Sequence, residues 1–371
     1  MTYILFYSFS SNRYQRIDTG IIRKKGRFLI VTTCTTYDLN IDETIKSLLK
    51  VDYETKDYDI VVVGNKLTPL QSIKLAQYPV HLIRMQDDNF NRNRAHQYVI
   101  QNFQNMKIYD QIIFIDPNET VSADFLYEVN KVLQSGIRFF QLHCRTIQNP
   151  TSASVISSTM GEINNSIFRK GHVAVGLPSA LSPSGLVIDY DWYKRNSQNI
   201  DSEDEVKSLE AMLLKEKIFV DYIDEICLYS RPVSKSAEIV RKRKRWVKNQ
   251  IPTFFSNLKK LLPAILNWNM SLSDKIFQWI MVPRMIMMGI IIIMSILLPF
   301  IYFTMVLKWW ALFLIVTFAF ALATPDYIVD SNWTKSMLLL PVLIFQSAYN
   351  LVLNNGIAKK IFKKKSKAPS I

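Results

Sequence analysis

Residues 111–120 read QIIFIDPNET, and this stretch decides the predicted fold. Four apolar residues with high β-propensity, Ile112 to Ile115, lead directly to Asp116, a proline and further polar residues. The pattern predicts a buried strand that ends at a carboxylate. In parallel sheets, ligands bind at the carboxyl ends of the strands. The position of Asp116 therefore indicates a ligand contact rather than a solvated surface charge.

The chain around this stretch alternates between strands and helices. Strand-like runs lie at 27–33, 58–64, 80–85 and 111–116. Helix-like periodicity lies at 40–50, 70–77, 92–104 and 122–134, with Ser122 as the N-cap of the last helix. A further helix and a strand pair are predicted at 201–216 and 218–230. This alternation predicts an α/β fold whose mostly parallel sheet is covered on both faces.

The C-terminal part has a different composition. The run from Met285 to Val306 carries no charge and is long enough to cross a membrane, and apolar runs follow at 309–323 and 336–353. One such run could be a buried core helix, but three so close together predict transmembrane segments. We expect a soluble domain at 1–250, amphipathic interfacial helices at 251–282, three transmembrane segments within 283–356 and a basic tail at 357–371.

The orientation of these segments follows from targeting signals and charge. The first residues lack a cleavable signal pattern, so we expect a multi-pass protein of the inner membrane with its soluble domain in the cytoplasm. Three crossings would place the lysine-rich tail outside, against the positive-inside tendency. Either one segment is re-entrant or interfacial, with Pro299 as the break, or the tail is exported. We favour a cytoplasmic tail.

Charge and cysteine content exclude several other classes of protein. The formal net charge is +14, concentrated at 241–248 and 359–367. Basic blocks beside transmembrane segments predict contacts with anionic lipid. We expect no nucleic-acid partner, because neither block lies in a recognisable nucleic-acid fold. Cys34, Cys144 and Cys227 show no C-x-x-C spacing, so neither a disulfide framework nor a zinc site is predicted.

Four features that carry chemistry follow one another along the chain. They are Asp116 at a strand end, the turn Ser184-Gly185, the acid pair Glu203-Asp204 at a helix start, and the basic-aromatic cluster 241–246 before the membrane. Each has an ordinary explanation when taken alone. An acid pair at a helix start compensates the helix dipole, and a tryptophan beside arginines near lipid is usually an anchor. Their order is the more specific signal.

In this order the features resemble the processive, membrane-bound family 2 glycosyltransferases, which include the cellulose, chitin and hyaluronan synthases. The matching segments are NIDETIKSLL (40–49), YDIVVVGN (58–65), RNRAHQ (92–97), FIDPNETVSADFL (114–126), SPSGLVI (182–188), SED (202–204), KRKRW (242–246) and VPRM (282–285). The resemblance implies a GT-A fold. It also implies an inverting hexosyltransferase that extends an exopolysaccharide, capsule or envelope glycan from a nucleotide-diphosphate sugar.

The resemblance also implies roles for particular residues. Asp204 is the expected general base, supported by Glu203. Asp116 and Asn118 are expected to bind the donor and a Mg²⁺ or Mn²⁺ ion, because hard cations that bridge phosphates prefer oxygen ligands. Glu119 could replace Asn118 as a ligand if the turn after Pro117 rotates it inward.

The remaining expected donor contacts come from four other segments. They are Thr33, Asn65, Arg92, and Arg245 with Trp246. By the resemblance, Arg245 holds the diphosphate through charge-assisted hydrogen bonds and Trp246 faces the acceptor sugar. The expected partners are the nucleotide sugar, a glycan or lipid-linked acceptor, the lipid bilayer and a membrane partner subunit for export.

The sequence departs from the family pattern at several of these positions. Asn118 stands in place of the second, metal-binding aspartate, and Asn65 or Gly64 stands in place of the uridine-contacting one. Lys242 replaces a glutamine and Thr33 replaces a proline. An alternative reading follows, in which the chain is a degenerate, non-catalytic relative that acts as a membrane-bound partner or sugar-binding subunit. A membrane anchor unrelated to sugars is disfavoured by the regular alternation of strands and helices.

Overall fold

A computed structural model describes residues 1–17, 24–35, 38, 40–103, 108–147, 151–201, 204–231, 261–281, 284–300 and 303–338. The chain divides into two units. The sheet unit comprises Phe9–Ile147 and Asn164–Arg231, and the helical unit comprises Met1–Ser8, Gln148–Ile163 and Pro232–Ile371. The predicted domain boundary at residue 250 lies outside the described residues.

The sheet unit contains one sheet of eight strands. The strands are β1 (Phe28–Thr35), β2 (Tyr58–Asn65), β3 (His81–Met85), β4 (Gln111–Ile115), β5 (Glu119–Thr120), β6 (Phe140–Thr146), β7 (Leu186–Asp189) and β8 (Asp221–Ser230). Their order in space is β3-β2-β1-β4-β7-β6-β8-β5. The first four strands run parallel, while β7 lies antiparallel between β4 and β6. The predicted α/β fold with a mostly parallel sheet is confirmed.

The described helices of the first 231 residues are divided between the two units, with most of α1 and α6 in the helical unit and the others in the sheet unit. In chain order they are α1 (Thr2–Ser11), α2 (Ile41–Leu49), α3 (Pro69–Ala76), α4 (Arg92–Asn102), α5 (Phe125–Gln134), α6 (Ser152–Asn165), α7 (Gly171–Val173), α8 (Tyr190–Asn196) and α9 (Glu205–Lys215). Ile113 of β4 belongs to one buried cluster, with Phe125 of α5, and its neighbour Ile112 belongs to another, with Tyr193 of α8. Alternate side chains of one strand therefore pack on opposite faces, as the near-continuous apolar run predicted.

Two local predictions are wrong. The run 218–230 forms the single strand β8 rather than a strand pair. Its register against β6 jumps, so that Leu142 pairs with Ile223 and His143 with Cys227. The three extra residues on β8, Asp224, Glu225 and Ile226, form an irregularity inside the strand where the sequence predicted a turn. The second wrong prediction is Ser122 as a helix N-cap. Helix α5 begins at Phe125 with Asp124 as its N-cap, and the Ser122 carbonyl accepts from the Phe125 N–H in a turn before the helix.

The described helices of the C-terminal part lie in the helical unit. They are α10 (261–266), α11 (Met270–Ile280), α12 (Arg284–Leu297), α13 (Phe303–Ala323) and α14 (Ser331–Leu338). Of the described residues, one helix is long and apolar enough to cross a membrane, at Val306–Ala323, and Met287–Leu297 is a shorter apolar helix. The predicted segment at 336–353 lies mostly outside the described residues.

The apolar run from Met285 to Val306 does not form one continuous helix. A 3₁₀ turn at Leu298–Phe300 separates α12 from α13. Pro299 explains this break, because proline lacks the N–H that would continue the helix. The two helices pack on each other through Met288, Ile291 and Val316, and Met1 packs against the same cluster. The predicted transmembrane segment is therefore replaced by a short helix, a turn and the start of a longer helix.

A hydrogen bond joins two distant parts of the helical unit. The Trp333 Nε1–H of α14 donates to the Thr159 Oγ1 of α6 over 3.1 Å. Thr159 is buried, and it lies in the chain between β6 and the remainder of the sheet unit. The residues that follow α13 thus contact a segment from the middle of the sequence.

Candidate active site

The predicted site begins at the carboxyl edge of the parallel strands. Thr35, the last residue of β1, is in register with Asn65 at the end of β2. Thr32 of β1 is in register with Ile115 at the end of β4, so Thr33 lies level with Asp116. The parallel register therefore brings Thr33, Asn65 and Asp116 to one edge of the sheet, where a ligand of this fold class binds.

Asp116 is paired with a cation at this edge. Helix α4 begins just after β3 and is capped by the Asn91 side chain, which accepts from the Arg94 N–H over 2.8 Å. Arg92 is the first residue of this helix, and its Nη2 donates to the Asp116 Oδ1 over 2.5 Å. Burial lowers the pKa of Arg92, but Asp116 and nearby carboxylates outweigh it, so the pKa is raised. Arg92 is a permanent cation beside Asp116.

Glu119 lies beneath the strand end and faces inward. It is 5% exposed and accepts hydrogen bonds from the Ser184 hydroxyl and, over 3.2 Å, from the Asp116 N–H. Burial, followed by the charge of Asp116, raises the pKa of Glu119 to about 7. Its carboxyl group therefore holds the Asp116 backbone N–H and the Ser184 hydroxyl rather than pointing out of the edge.

Gly185 allows Ser184 to reach this position. Gly185 has a positive φ of +72°, and a Cβ there would lie 2.7 Å from Leu228 Cδ1 and 2.9 Å from Cys144 Sγ. Its N–H donates to the Phe114 carbonyl over 2.9 Å, which joins the turn to β4. A side chain at residue 185 would push this turn away from Asp116.

Asn118 lies in the tight turn that connects Asp116 with β5. The Glu119 N–H donates to the Asp116 carbonyl over 3.1 Å, and the Asn118 carbonyl accepts from the Arg231 N–H over 3.2 Å. The Arg231 side chain is in turn paired with Glu43 of α2 at 2.6 Å. Arg231, which follows β8, thus links the turn to α2. These contacts fix the backbone position of Asn118.

The turn from Asp116 to Glu119 carries side-chain oxygen atoms that are candidate ligands for the expected divalent cation. Asp116 and Asn118 offer oxygens on one short turn, whereas Glu119 already accepts two hydrogen bonds on its buried side. Among the described residues, no three His, Cys, Asp or Glu side chains are grouped to hold a metal ion. Mg²⁺ commonly takes one or two protein oxygens and completes its shell with phosphate and water. Asp116 and Asn118 fit a cation of that kind, held jointly with a diphosphate.

A buried polar pair that the sequence reasoning missed lies beside Arg92. The His96 Nδ1 is 3.0 Å from the Glu205 Oε1, and the buried His96 ring stacks on Phe114 at 4.2 Å. Burial raises the pKa of Glu205, but His96 and then Arg92 outweigh it, so the pKa is lowered. The pair joins α4 to α9. His96 on the inward face of a predicted helix was the available signal.

The predicted base Asp204 immediately precedes Glu205. It is the N-cap residue of α9, its side chain makes no capping bond, and its Oδ2 lies 2.8 Å from Lys207 Nζ. Its carboxylate is partly exposed. The other predicted residues Glu203, Arg245 and Trp246 lie outside the described residues, so the structure does not place them.

Asn65 connects two loops at the edge. Its Nδ2 donates to the Asp87 carbonyl over 3.0 Å, and its Oδ1 accepts from the Asp87 N–H over 2.9 Å. Both ends of the buried amide are thus used to hold the segment after β3 against the end of β2. Asn65 would therefore have to make its expected contact with the nucleotide-sugar donor through an amide that is already hydrogen-bonded at both ends.

Comparisons with known proteins give the class of the fold. No protein-family model matches the chain, and no curated protein matches it. Among solved structures, the mannosyltransferase PcManGT from Pyrobaculum calidifontis, in complex with GDP-Man and Mn²⁺, is similar with a TM-score of 0.54 and 9% sequence identity, over 95% of this chain and 96% of that chain. TarS 1–349 from S. aureus is similar with a TM-score of 0.45 and 12% identity, over 91% and 92% of the two chains. The likeness to PcManGT shows that this chain has a glycosyltransferase fold.

Proposed function

We propose that this chain is a membrane-bound, inverting glycosyltransferase of the family 2 type. It would transfer a hexose from a nucleotide-diphosphate donor to an exopolysaccharide, capsule or envelope glycan. The observation that carries the proposal is the Arg92–Asp116 pair at the carboxyl edge of a glycosyltransferase fold. The similar mannosyltransferase was solved with GDP-Man and Mn²⁺, which supports a nucleotide-sugar donor and a divalent cation here.

Arg92 and Asp116 are assigned to the donor. Arg92 keeps its charge, and the position beside Asp116 lets it stabilise negative charge on a departing diphosphate. Asp116 and Asn118 would hold Mg²⁺ or Mn²⁺, which neutralises charge on the diphosphate when bound. Glu119 and Ser184 position the Asp116 backbone. Thr33 and Asn65 at the same edge, and Arg245, complete the proposed donor contacts.

Asp204 is assigned to the acceptor, with Glu203 in support. The acceptor hydroxyl oxygen forms a bond with the anomeric carbon, and its proton passes to the Asp204 carboxylate. The bond from the anomeric carbon to the diphosphate oxygen breaks on the opposite face, and the nucleoside diphosphate leaves with the electron pair. The configuration is therefore inverted. The buried His96–Glu205 pair positions Asp204, because Glu205 is its immediate neighbour in the chain.

The membrane part of the proposal rests on α13 and the sequence around it. Val306–Ala323 has the length and composition of a span. We assign the chain to the inner membrane with the sheet unit in the cytoplasm, the segment 251–282 at the interface, and Trp246 facing a glycan or lipid-linked acceptor. A partner subunit would serve export. The alternative, a non-catalytic sugar-binding relative, is favoured by the departures from the family pattern, above all Asn118 in place of a carboxylate.

Nucleotide release tests the proposal. The full chain, purified in detergent, is incubated with a panel of nucleotide sugars with and without Mn²⁺. We expect one donor to be turned over, and Arg92→Gln to lose most of that turnover because the diphosphate loses its cation. Arg94→Gln is the matched control. Arg94 lies on the same helix but pairs with Asp87 at 3.2 Å, so its loss should leave turnover near the wild-type level.

Two results would contradict the proposed enzymatic activity or the proposed role of Arg92. No turnover with any donor, together with measurable binding of a nucleotide sugar, would favour the non-catalytic alternative. Equal effects of Arg92→Gln and Arg94→Gln would remove Arg92 from the donor site.

A further inference from the structure

The first helix presents an unusual outer face. Helix α1 has no charged residue, and its buried side includes Ile4 and Tyr7. On its exposed side Phe6 is 56% exposed, and Phe9 lies one turn further along the same face. A helix on a soluble surface normally places polar side chains there. The Arg13 guanidinium lies 5.1 Å from the Phe9 ring centroid, so Phe6 is the large apolar side chain of α1 that is exposed where water would favour a polar group.

The helix is held firmly by α11. The Tyr3 and Tyr7 hydroxyls donate to the Asp274 Oδ1 over 2.7 and 3.0 Å, and the Tyr3 ring packs on Phe277 at 4.7 Å. Burial, followed by the charge of Asp274, raises the pKa of both tyrosines, so both hydroxyls remain donors. Phe6 is therefore displayed on an anchored helix and not on a frayed terminus.

The same helix also contacts the apolar helices. Met1, at its start, packs against the cluster of Met288, Ile291 and Val316 between α12 and α13. Apolar side chains around α11 are exposed as well, including Trp268, Met270 and Phe277. Exposed apolar side chains thus occur on α1 and around α11, in the unit that also contains the candidate span.

We propose that α1 is a membrane-interface helix, which inserts Phe6 among lipid chains beside α12 and α13. This inference rests on the membrane location proposed above. The lipid bilayer is the occupant because α1 touches the helices that enter it and carries no charge that would keep it in water. Tyr3 and Tyr7 then fix the depth of the helix through Asp274.

Photolabelling of the wild-type chain tests this inference without any variant. The full chain is reconstituted in vesicles of phosphatidylcholine and phosphatidylglycerol and exposed to a diazirine that dissolves in the bilayer. Trypsin releases the peptide Met1–Arg13, which contains α1. It also releases Leu67–Lys74 of the sheet unit, where Leu70 is 76% and Ile73 61% exposed. We expect several-fold more label per apolar residue on Met1–Arg13 than on Leu67–Lys74.

A third peptide separates this inference from the membrane proposal. Trp309–Lys335 contains most of α13 and reports whether the candidate span is in lipid. If Trp309–Lys335 is labelled and Met1–Arg13 stays at the level of Leu67–Lys74, the α1 inference is overturned alone. If Met1–Arg13 and Trp309–Lys335 both stay at the level of Leu67–Lys74, the membrane proposal fails too. Label on Met1–Arg13 that disappears as the protein-to-lipid ratio rises would overturn the inference in favour of a second copy of the chain.

Discussion

At the scale of single residues, Asp204 is the proposed acceptor of the proton from the acceptor hydroxyl. Its carboxylate is partly exposed and paired with Lys207 across one helical turn, so an incoming hydroxyl can compete for it. Asp204→Asn keeps the size and polarity of the side chain but removes its ability to accept the proton. We expect turnover to fall by roughly two to four orders of magnitude, measured as nucleotide release. Circular dichroism should be unchanged.

Asp201→Asn is the control for this substitution, because Asp201 is an exposed carboxylate three residues earlier. Its turnover should match that of the wild type. If Asp204→Asn retained activity within a few-fold of the wild type, Asp204 would leave the mechanism and the non-catalytic alternative would gain support.

Asn118 gives a second prediction at the residue scale. Asn118→Asp restores a charged oxygen beside Asp116 with nearly the same shape, and Mg²⁺ prefers charged oxygen ligands. We expect the variant to need several-fold less metal for half-maximal binding of the nucleoside diphosphate, measured by titration calorimetry. Without metal, the added charge should weaken diphosphate binding by repulsion.

Glu119→Gln is the matched comparison on the same turn. Glu119 faces Ser184 and the Asp116 N–H, so its charge is not required for the metal and the metal requirement should stay unchanged. A raised metal requirement in Glu119→Gln would instead make Glu119 a ligand. Unchanged behaviour of both variants would remove the metal from this turn.

At the scale of single elements, β8 contains a carboxylate that disfavours the folded state at neutral pH. Asp221 begins this strand, and burial raises its pKa to about 6. An aspartate in an unfolded chain has a pKa of about 3.9. The folded state therefore binds this proton more tightly, and the resulting stability is complete below about pH 4 and is lost as the pH rises through about 6.

Asp221→Asn should remove this loss. At about pH 7 we expect the variant to have a free energy of unfolding higher by about 1 kcal/mol, a value reduced for the partial exposure of the side chain. Near pH 4 the difference should shrink. Urea titrations at both pH values measure it, and Asp191→Asn on the exposed side of α8 is the control. A difference that is the same at both pH values would contradict the assignment.

The elements also show which predictions the sequence could support. Strands β1 to β4 and helices α2 to α4 were predicted within a few residues, because each has its own periodicity and ends at polar residues. Strand β7 was not identified as an antiparallel insertion, because its position between β4 and β6 depends on pairing between distant segments. The His96–Glu205 pair was missed for the same reason, since 109 positions separate its partners.

Helix length distinguishes the apolar segments. Helix α13 has 21 residues and is therefore about 32 Å long, which matches the hydrocarbon core of a bilayer of about 30 Å. Helix α12 has 14 residues and reaches only about 21 Å. Sequence composition alone could not separate the two, because each is apolar except for a single basic residue near its start, Arg284 in α12 and Lys308 in α13. Pro299 was the one residue that indicated where the longer run is divided.

At the scale of the whole molecule, the Trp333–Thr159 hydrogen bond predicts sidedness. Thr159 belongs to α6, and Trp333 follows α13. Both lie in the helical unit, so we predict that the residues after α13 lie on the same side of the proposed membrane as α6. The segment α12–α13 would then enter and return.

Cysteine labelling measures this sidedness. Asn332→Cys at the start of α14 and Thr151→Cys just before α6 place thiols at exposed positions. Both should react with an impermeant maleimide only after cells are opened. The wild-type chain, with Cys34 buried and the other two cysteines partly buried, supplies the background. Reaction of Asn332→Cys in intact cells, with Thr151→Cys protected, would show that α13 ends on the opposite side.

The helical unit is assembled from three separate stretches of chain, Met1–Ser8, Gln148–Ile163 and Pro232–Ile371. During translation the first stretch leaves the ribosome long before its partners Asp274 and Phe277 exist, and α6 waits for Trp333. The nascent chain must therefore carry apolar helices that have no partner until synthesis is nearly finished. In a chain that lacks the C-terminal helices, the first stretch and α6 would never acquire these partners. A shortened chain should then aggregate unless the first eight residues are removed with them.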